Sequence, residues 1–396
     1  MNVKTTRTLG KLIALSFITS TMIHATNGDN LIAMGAKARG MGGAGIAMSH
    51  GAESALSNGA LITSVEGTEI GFGGTLFMPD IKTEIAGMGP KYTSDADTNV
   101  IPEVSIAHKI DENWYIGVGM WGTAGMGTDY SEVPGNFQMV TNLQLMQFGV
   151  PIAYKTGGLS LAVTPILQYG NLDINYDSTG MQNGGPNGAG LAQDFGFGYN
   201  LGLAYDFTAN GIDGLTFGAM YRSAIEMDYN PQISTAMAGF GRSNFSDKLE
   251  QPEEYGLGLA YTMGQHTFAF DYKKIKWSDA QGYGDYGWDD SDVYAIGYQY
   301  TENEWTVRLG YNHAESAVVE TADPLFNMLN LLGFPATQED HYTVGASYEF
   351  TRAFSLDLAY VYAPTNTETF SIAPLGSTIT TDHAEDSVSF QLAYTF

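Results

Sequence analysis

The last eleven residues of the chain, 386–396, alternate strictly between apolar and polar or small side chains. The apolar positions are Val388, Phe390, Leu392, Tyr394 and Phe396. A period of two is that of a β-strand with one apolar face and one polar face, because successive side chains point to opposite sides. In a soluble protein the apolar face would pack on a core, but a final aromatic strand is also typical of the closing strand of a bacterial outer-membrane β-barrel.

The same period continues through the chain from residue 68 onward. In one segment, for example, Leu215, Phe217, Ala219 and Tyr221 share a side opposite Thr216. The pattern predicts fourteen strands, an even number as in single-chain bacterial barrels. Their approximate bounds are 68–80, 99–110, 113–123, 140–154, 159–176, 196–208, 214–227, 252–263, 266–276, 291–301, 304–314, 340–350, 353–364 and 385–396.

The connections between these segments alternate in length. Short ones lie at 111–113, 155–158, 209–213, 264–265, 302–303 and 351–352, and long ones near 81–98, 124–139, 177–195, 228–251, 277–290, 315–339 and 365–384. Short periplasmic turns and long external loops are the arrangement found in outer-membrane barrels. We therefore predict an all-β fold, a 14-stranded antiparallel transmembrane β-barrel in the outer membrane of a Gram-negative bacterium.

Composition excludes several other classes of protein. The formal net charge of −26 argues against binding nucleic acid, which depends on neutralising phosphates. The chain has no Cys, so the sequence predicts no disulfide and no thiolate metal site. Its seven His are scattered, and neither a His-Glu-x-x-His nor a Gly-x-Ser-x-Gly motif occurs. We predict no catalytic residues, no cofactor and no metal.

The N-terminal part of the chain divides into two segments. Residues 1–25 have the features of a secretory signal peptide: Lys4, Arg7 and Lys11, then a short apolar core at 12–18. Residues 26–67 show no alternation and are rich in small residues, especially at 35–45. Such a segment can pack with its backbone close to other backbone. The predicted divisions are thus 1–25, 26–67 and 68–396.

Several short motifs, in this order along the mature chain, carry a resemblance to a known family. They are Gly35–Gly45 with Ser57–Ile62, Gly122–Tyr130, Tyr221–Ser223, Gln251–Glu253, Asp271 with Trp277–Ser278, Arg308–Gly310 and the closing Phe396. Together with the fourteen strands, they make the chain similar to the FadL/TodX outer-membrane transporters of fatty acids and aromatic hydrocarbons.

The resemblance implies a barrel plugged by an N-terminal hatch, here residues 26–67. It also implies a groove for ligand among the external loops, a deeper pocket against the hatch, and a kink in the third strand that opens a lateral exit into the membrane. Gly122, Gly125 and Gly127 fall where that kink is expected. The chain departs from the family at Asn58-Gly59-Ala60, where Asn-Pro-Ala is usual, so a hatch of different or looser conformation is expected there.

Two sets of candidate ligand-binding residues follow. Basic side chains in the lumen or hatch are candidates for a fatty carboxylate: Arg222, Arg308, Lys273, Lys37 and Arg39. Apolar residues in the long loops at 228–251 and 315–339 are candidates for a capture surface: Met237, Phe240, Phe245, Phe326, Leu329 and Phe334. The simpler alternatives are that the basic residues pair with lumen carboxylates and that the loops pack on each other.

These residues lead to one principal hypothesis and two others. The first is a monomeric channel for passive uptake of a hydrophobic small molecule, a long-chain fatty acid or an aromatic hydrocarbon, in contact with outer-membrane lipid and lipopolysaccharide. The second is a general porin, which would want a charged constriction loop rather than a Gly-rich N-terminal plug. The third is a surface adhesion or binding protein built on a closed barrel.

Overall fold

The computed structural model describes residues 27–179, 184–373 and 377–396, so the predicted signal peptide lies outside it. These residues form a closed antiparallel barrel of fourteen strands, which confirms the predicted fold. In chain order the strands are β1 Thr68–Ile85, β2 Asn99–Lys109, β3 Trp114–Met126, β4 Val140–Gly149 continued by Ile152–Thr156, β5 Leu159–Asp177, β6 Ala192–Asp206, β7 Leu215–Arg222, β8 Glu254–Met263, β9 His266–Ile275, β10 Ser291–Glu302, β11 Trp305–Ala314, β12 Asp340–Thr351, β13 Phe354–Ser371 and β14 Thr378–Thr395.

The barrel closes through pairing of its first and last strands. β1 and β14 are in register from Glu69 opposite Thr395 to Ile85 opposite Ile379. Along β14, Phe390 is 44% exposed on the outside, whereas its neighbour Ser389 is fully buried on the inside. The apolar face therefore points outward toward lipid and the polar face inward, as the period of two predicts.

The connections sort by length onto the two ends of the barrel, as predicted. The short turns, for example between β8 and β9, lie at the end that carries the start of β1 and the end of β14. The long connections at the other end contain two helices, α2 Gln232–Gly239 and α3 Pro324–Gly333, and a separate ribbon of Ile225–Asp228 with Lys248–Gln251. A shorter helix, α1 Ala36–Gly40, precedes the barrel. No helix in the described ranges is long and apolar enough to cross a membrane.

Short additional elements lie in the connections. One short strand, Tyr92–Thr93, pairs with β1 and another, Pro186–Gly188, pairs with β5. Turns of 3-10 helix lie at Gly51–Ala55, Gly59–Ser64, Pro134–Asn136, Phe207–Asn210 and Gly284–Tyr286.

Several predicted strand ends are wrong. The predicted loop 365–384 is mostly strand, because β13 continues to Ser371 and β14 begins at Thr378, with Thr369 facing Thr380. Both faces of this hairpin carry polar residues, so apolar alternation cannot reveal it. β7 ends at Arg222 rather than at 227, since residues 225–228 join the separate ribbon.

Candidate functional site

Residues 27–67, here called the N-terminal segment, lie against the inner face of the barrel. Gly42 shows how closely the two backbones approach: a Cβ there would lie 2.6 Å from the backbone nitrogen of Tyr311, and its φ is +68°. Thr343 accepts a hydrogen bond from the Gly42 amide at 3.0 Å, and Asn312 donates to the Gly42 carbonyl at 3.0 Å. Only glycine fits a left-handed backbone at such a distance, which explains the richness of this stretch in glycine.

A buried carboxylate on β9 provides the strongest polar attachment of the segment. One oxygen of Asp271 accepts hydrogen bonds from the amides of Gly45 at 2.6 Å and Ile46 at 2.8 Å. Asn58 donates its side-chain amide to the Ile46 carbonyl at 2.7 Å and to the Leu203 carbonyl at 3.0 Å. The segment is therefore bound to β9 by charge-assisted hydrogen bonds and to β6 by an amide hydrogen bond.

Gly59, which stands where the family resemblance leads us to expect proline, is closely packed rather than loose. It opens the 3-10 turn Gly59–Ser64, with Asn58 capping the Ala60 amide at 3.1 Å. A Cβ at Gly59 would lie 2.8 Å from Oγ1 of Thr164 and 3.1 Å from Cβ of Pro151 on the barrel wall. Gly59 therefore packs closely against the barrel wall, and a larger residue would contact Thr164 and Pro151.

Four of the five candidate basic residues lie in ion pairs. Lys37 is 3.7 Å from Glu69 and 3.8 Å from Asp357, and Arg39 is 3.9 Å from Glu103. The other pairs join Arg308 to Asp357 at 3.9 Å and Arg222 to Glu254 at 3.4 Å. All these side chains are largely buried. The pairs of Lys37 and Arg39 link the N-terminal segment to the wall, whereas those of Arg222 and Arg308 join residues within the wall.

Lys273 differs from these four. It lies on β9 between Asp271 and Ile275, both of which face inward. Within residues 27–179, 184–373 and 377–396, no hydrogen bond or ion pair is found for its ammonium group. Among the five candidates, Lys273 is therefore the one on the inner face whose ammonium group has no partner in the described residues.

A small apolar cavity lies beneath the long loops. It has a volume of about 30 Å³, and none of its lining residues is charged: Met126, Leu172, Ile174, Ile233, Leu249, Tyr283, Tyr286, Trp288, Asn330 and Phe334. The one amide, Asn330, is already bonded, since it accepts from the Trp288 indole at 3.2 Å and donates to the Tyr286 carbonyl at 3.0 Å. The cavity is thus a small apolar, aromatic space.

Helix α3 covers this cavity and is anchored at both of its ends. Asp323 accepts a hydrogen bond from the Leu325 amide at 3.0 Å and so caps the first turn, with Pro324 at the first helical position. At the other end, Thr128 donates to the Leu332 carbonyl at 2.8 Å and Thr141 to the Gly333 carbonyl at 2.5 Å. The carbonyls that a helix end leaves free are thereby satisfied by threonines of the barrel.

The six apolar loop candidates pack mainly on one another. Met237 and Leu329 are buried, and Phe240 stacks on Tyr176 with ring centroids 4.4 Å apart. Phe245 and Phe326 contact each other with centroids 6.0 Å apart. Among the six, Phe334 lines the cavity. The structure thus brings all six residues into one apolar cluster, in which Met237 and Leu329 are buried and the four phenylalanines are partly buried.

The hydrogen bonding between β2 and β3 stops part-way along the wall. Their pairing ends at Glu103 opposite Trp121, although β2 continues to Asn99 beside β1 and β3 to Met126 beside β4. Residues 99–102 and 122–126 therefore face each other without ladder hydrogen bonds, over about 15 Å at roughly 3.3 Å per residue. We call this part of the wall the β2–β3 window.

A bulge in β3 shapes the window. The register against β4 shifts between Gly122 and Ala124, so one extra residue, Thr123, is inserted. Two of the three glycines predicted for a kink, Gly122 and Gly125, lie in the window. The third, Gly127, comes directly after β3. A Cβ on Gly127 would lie 2.1 Å from the Thr141 carbonyl oxygen.

The first described residues of the chain cover the window from inside. The Leu31 amide donates to the Thr123 carbonyl at 3.2 Å, and the Gly125 amide donates to the Asp29 carbonyl at 3.0 Å. Asn30 and Ala124 face each other between these bonds as an antiparallel bridge. Residues 27–31 therefore occupy the place of a partner strand for the bulged part of β3.

The same five residues also form one wall of the aromatic cluster near the cavity. Gly28, with φ of +74°, lies under the Trp277 indole, to which a Cβ would approach within 2.4 Å. Trp277 contacts Tyr283 and Trp288, with centroid distances of 4.8 and 5.2 Å. The window and the cavity are therefore linked through residues 27–31.

Comparison with known proteins identifies the family. A sequence model described as "Outer membrane protein transport protein (OMPP1/FadL/TodX)" matches residues 18–396. The chain belongs to the FadL/TodX family. It is 23% identical over 369 residues to the "47 kDa outer membrane protein" of Pasteurella multocida (strain Pm70), which covers 79% of this chain and 81% of that protein. It is also 23% identical over 365 residues to the "Long-chain fatty acid transport protein" of Escherichia coli O6:H1, covering 77% and 79%.

The solved structures agree with the fold. The crystal structure of the Pseudomonas putida toluene transporter TodX superposes with a TM-score of 0.71 at 20% identity, covering 93% of this chain and 99% of that one. As a member of the FadL/TodX family, the protein is an outer-membrane transport barrel and not an enzyme. The buried Glu385 carboxylate lies 3.5 Å from Nε2 of His341 and 3.0 Å from Nε2 of His383. No group of three or more side chains that could hold a metal ion is found among the described residues.

Several residues of this FadL/TodX site were not found from sequence. Asp29 carries no signal, because it is one acid in a short polar stretch. A sequence signal does exist for three aromatic residues, Tyr283, Tyr286 and Trp288, because aromatic residues occur repeatedly between the acids of 277–292. In the structure the side chains of Tyr283 and Trp288 are buried, whereas Asp285 and Asp289 in the same loop are exposed.

Proposed function

We propose that the protein is an outer-membrane channel through which hydrophobic small molecules enter passively, by capture among the external loops, passage through the apolar cavity and lateral exit at the β2–β3 window. The N-terminal segment would act as the hatch. The observation that supports this most is that residues 27–31 contact both the aromatic cluster and the window. A displacement of the aromatic cluster would therefore move residues 27–31 and, through them, alter the window.

Lateral exit is favoured over passage along the barrel axis. The axis is filled by the N-terminal segment, which is held by Asp271, by Asn58 and by the ion pairs of Lys37 and Arg39 with barrel carboxylates. At the window, by contrast, two backbone hydrogen bonds and the contact of Leu31 with Phe77 and Ile101 close the wall in the described part of the chain. A molecule leaving there enters the hydrocarbon layer without crossing water, which suits an apolar cargo.

An uncharged aromatic hydrocarbon fits the site better than a fatty acid. The cavity is lined by aromatic and aliphatic side chains with no basic group, and a carboxylate, Asp29, lies beside Tyr283 at its edge. Burying a ligand carboxylate there would require an unpaired charge in an apolar site. The observation that favours the second candidate, a long-chain fatty acid, is Lys273, whose ammonium group is free to pair with a carboxylate.

At about 30 Å³ the cavity is too small for either ligand as it stands. Entry of a six-membered aromatic ring requires the side chains around it to move. The loop helices α2 and α3 and residues 27–31 are the elements whose displacement would enlarge it. We expect the protein to work as a monomer, with its long loops in the lipopolysaccharide leaflet.

The test is uptake into outer-membrane vesicles carrying the full chain, with radiolabelled toluene and oleate offered in parallel. Toluene uptake that falls at least tenfold in Trp288→Ala supports the pathway. The matched control is Trp305→Ala, an exposed tryptophan on the outer face of β11, which is expected to have no effect. Equal loss or no loss in both variants contradicts a route through the cavity.

The two cargo classes separate in the same assay. If toluene is the cargo, its uptake is unchanged by Lys273→Ala and oleate enters slowly. If oleate enters faster and its uptake is lost in Lys273→Ala, the protein is a fatty-acid channel. A steady open current in single-channel recordings would instead indicate a general porin, and uptake unaffected by removal of residues 26–67 would favour a binding or adhesion barrel.

A further inference from the structure

Asp29 is a buried acid at the point where the cavity and the window meet. Its side chain is completely buried. One oxygen, Oδ2, accepts hydrogen bonds from the Gln251 amide at 2.9 Å and from the Tyr283 hydroxyl. The other oxygen, Oδ1, has no hydrogen-bond partner among the described residues. The side chain thus fastens residues 27–31 to the β7–β8 and β9–β10 connections, while the backbone of the same residue bonds to Gly125 in the window.

Few groups around Asp29 stabilise its charged form. No ion pair joins Asp29 to any Lys, Arg or His in the described parts of the chain. The ionisable groups that face it are Tyr283, Tyr229 and Glu254, and Glu254 itself accepts from Asn30 at 3.1 Å and pairs with Arg222. Burial, aided by the charge on Glu254 and opposed by the bonds from Tyr283 and Gln251, raises the pKa of Asp29 to about 7.

We propose that Asp29 is a proton-operated latch: when neutral it holds residues 27–31 over the β2–β3 window, and when ionised it releases them. The inference rests on the proposed route through that window. It adds a control that depends on the acidity of the medium rather than on the cargo.

The direction of the pH dependence follows from the pKa of Asp29 in the latched and in the released position. In water, after release, the pKa of Asp29 returns to its ordinary value of 3.8, whereas in the latched position it is about 7. Latching therefore takes up a proton and is strongest at low pH. It weakens about tenfold for each pH unit between about 4 and 7, to a limit of about 1000-fold, and changes little above 7. The window is thus closed in acid and opens more readily at neutral pH.

The test is the initial rate of toluene uptake by the full-length protein in vesicles from pH 5 to pH 8. Toluene does not ionise in this range, so a change reports on the protein. We expect the wild-type rate to rise at least tenfold, with its midpoint near pH 7. Asp29→Asn keeps the shape of the side chain without a titrating proton, and it should give a flat profile at the low, acid level of the wild type.

Two further variants make the test specific. Asp97→Asn, on an exposed loop, should keep the wild-type profile. Tyr283→Phe removes a hydrogen-bond donor that favours the charged carboxylate, so its midpoint should move to higher pH. Folding of each variant is checked by the heat-dependent shift of the barrel in gel electrophoresis. A flat wild-type profile, or a pH response that persists in Asp29→Asn, overturns the latch while leaving the channel intact. Absence of toluene uptake at every pH overturns the proposed function instead.

Discussion

Replacing Asp271 should loosen the N-terminal segment while leaving the barrel folded. In Asp271→Ala, the buried amides of Gly45 and Ile46 lose the oxygen that now accepts from them at 2.6 and 2.8 Å. A buried donor left unpaired costs about 1–3 kcal/mol, so the two together weaken seating of the segment by about 2–6 kcal/mol. At about 1.4 kcal/mol per factor of ten, even the lower figure raises the displaced population about 30-fold. Asp271→Asn keeps an acceptor oxygen without the charge and should have a smaller effect.

Trypsin cleavage measures this displacement directly. Lys37 and Arg39 are held inside the barrel, so cutting after them requires the segment to leave its seat. Cleavage of a transiently opened state follows its equilibrium population when reclosing is fast. We expect cleavage at these two sites to be about 30-fold faster or more in Asp271→Ala. Asp213→Asn, in an exposed short turn, is the control and should match the wild type. Unchanged cleavage in Asp271→Ala, with the heat stability of the barrel also unchanged, would refute the claim that this carboxylate anchors the segment.

Other substitutions test separate parts of the account. Gly42→Ala places a Cβ 2.6 Å from the Tyr311 backbone in a left-handed conformation, so it should raise trypsin cleavage of the segment as much as Asp271→Ala does. Gly59→Pro crowds Thr164 and should lower the free energy of unfolding by about 1–3 kcal/mol, measured by denaturation in detergent; an unchanged or higher stability would contradict the packing argument. Arg308→Ala should leave toluene uptake within twofold of the wild type in the vesicle assay, because Arg308 is paired with Asp357 and lies apart from the cavity lining.

The barrel could be predicted from the sequence because its signal is local. Phe390 and Ser389 differ in polarity and in face, and the same contrast repeats in every strand that crosses lipid. The signal disappears where both faces meet water. Thr369 and Thr380 pair in a hairpin whose outer face is polar, so the alternation with apolar residues outside stops there and the strand ends were misplaced.

The site could be predicted only in part, because its contacts join distant parts of the chain. Alternation placed Arg222 on the inner face, but only the register of β7 against β8 brings it to Glu254. The glycines at 122 and 125 indicated an irregular third strand. Nothing in the sequence indicated that Asp29 would lie beside Gln251, which is 222 positions away.

The measurement that tests the central claim most directly is a reversible disulfide across the β2–β3 window. Asn30 and Ala124 face each other between two flanking hydrogen bonds, which is the closer type of antiparallel pair and suits a disulfide. The native chain has no Cys, so Asn30→Cys with Ala124→Cys can form only this bond. Thr75→Cys with Ser389→Cys, which joins β1 to β14 elsewhere in the wall, is the control.

If residues 27–31 must leave the window for cargo to exit, toluene uptake will be lost when the first pair is oxidised and restored when it is reduced, while the control pair transports in both states. Full uptake through the oxidised Asn30–Ala124 pair would contradict the account.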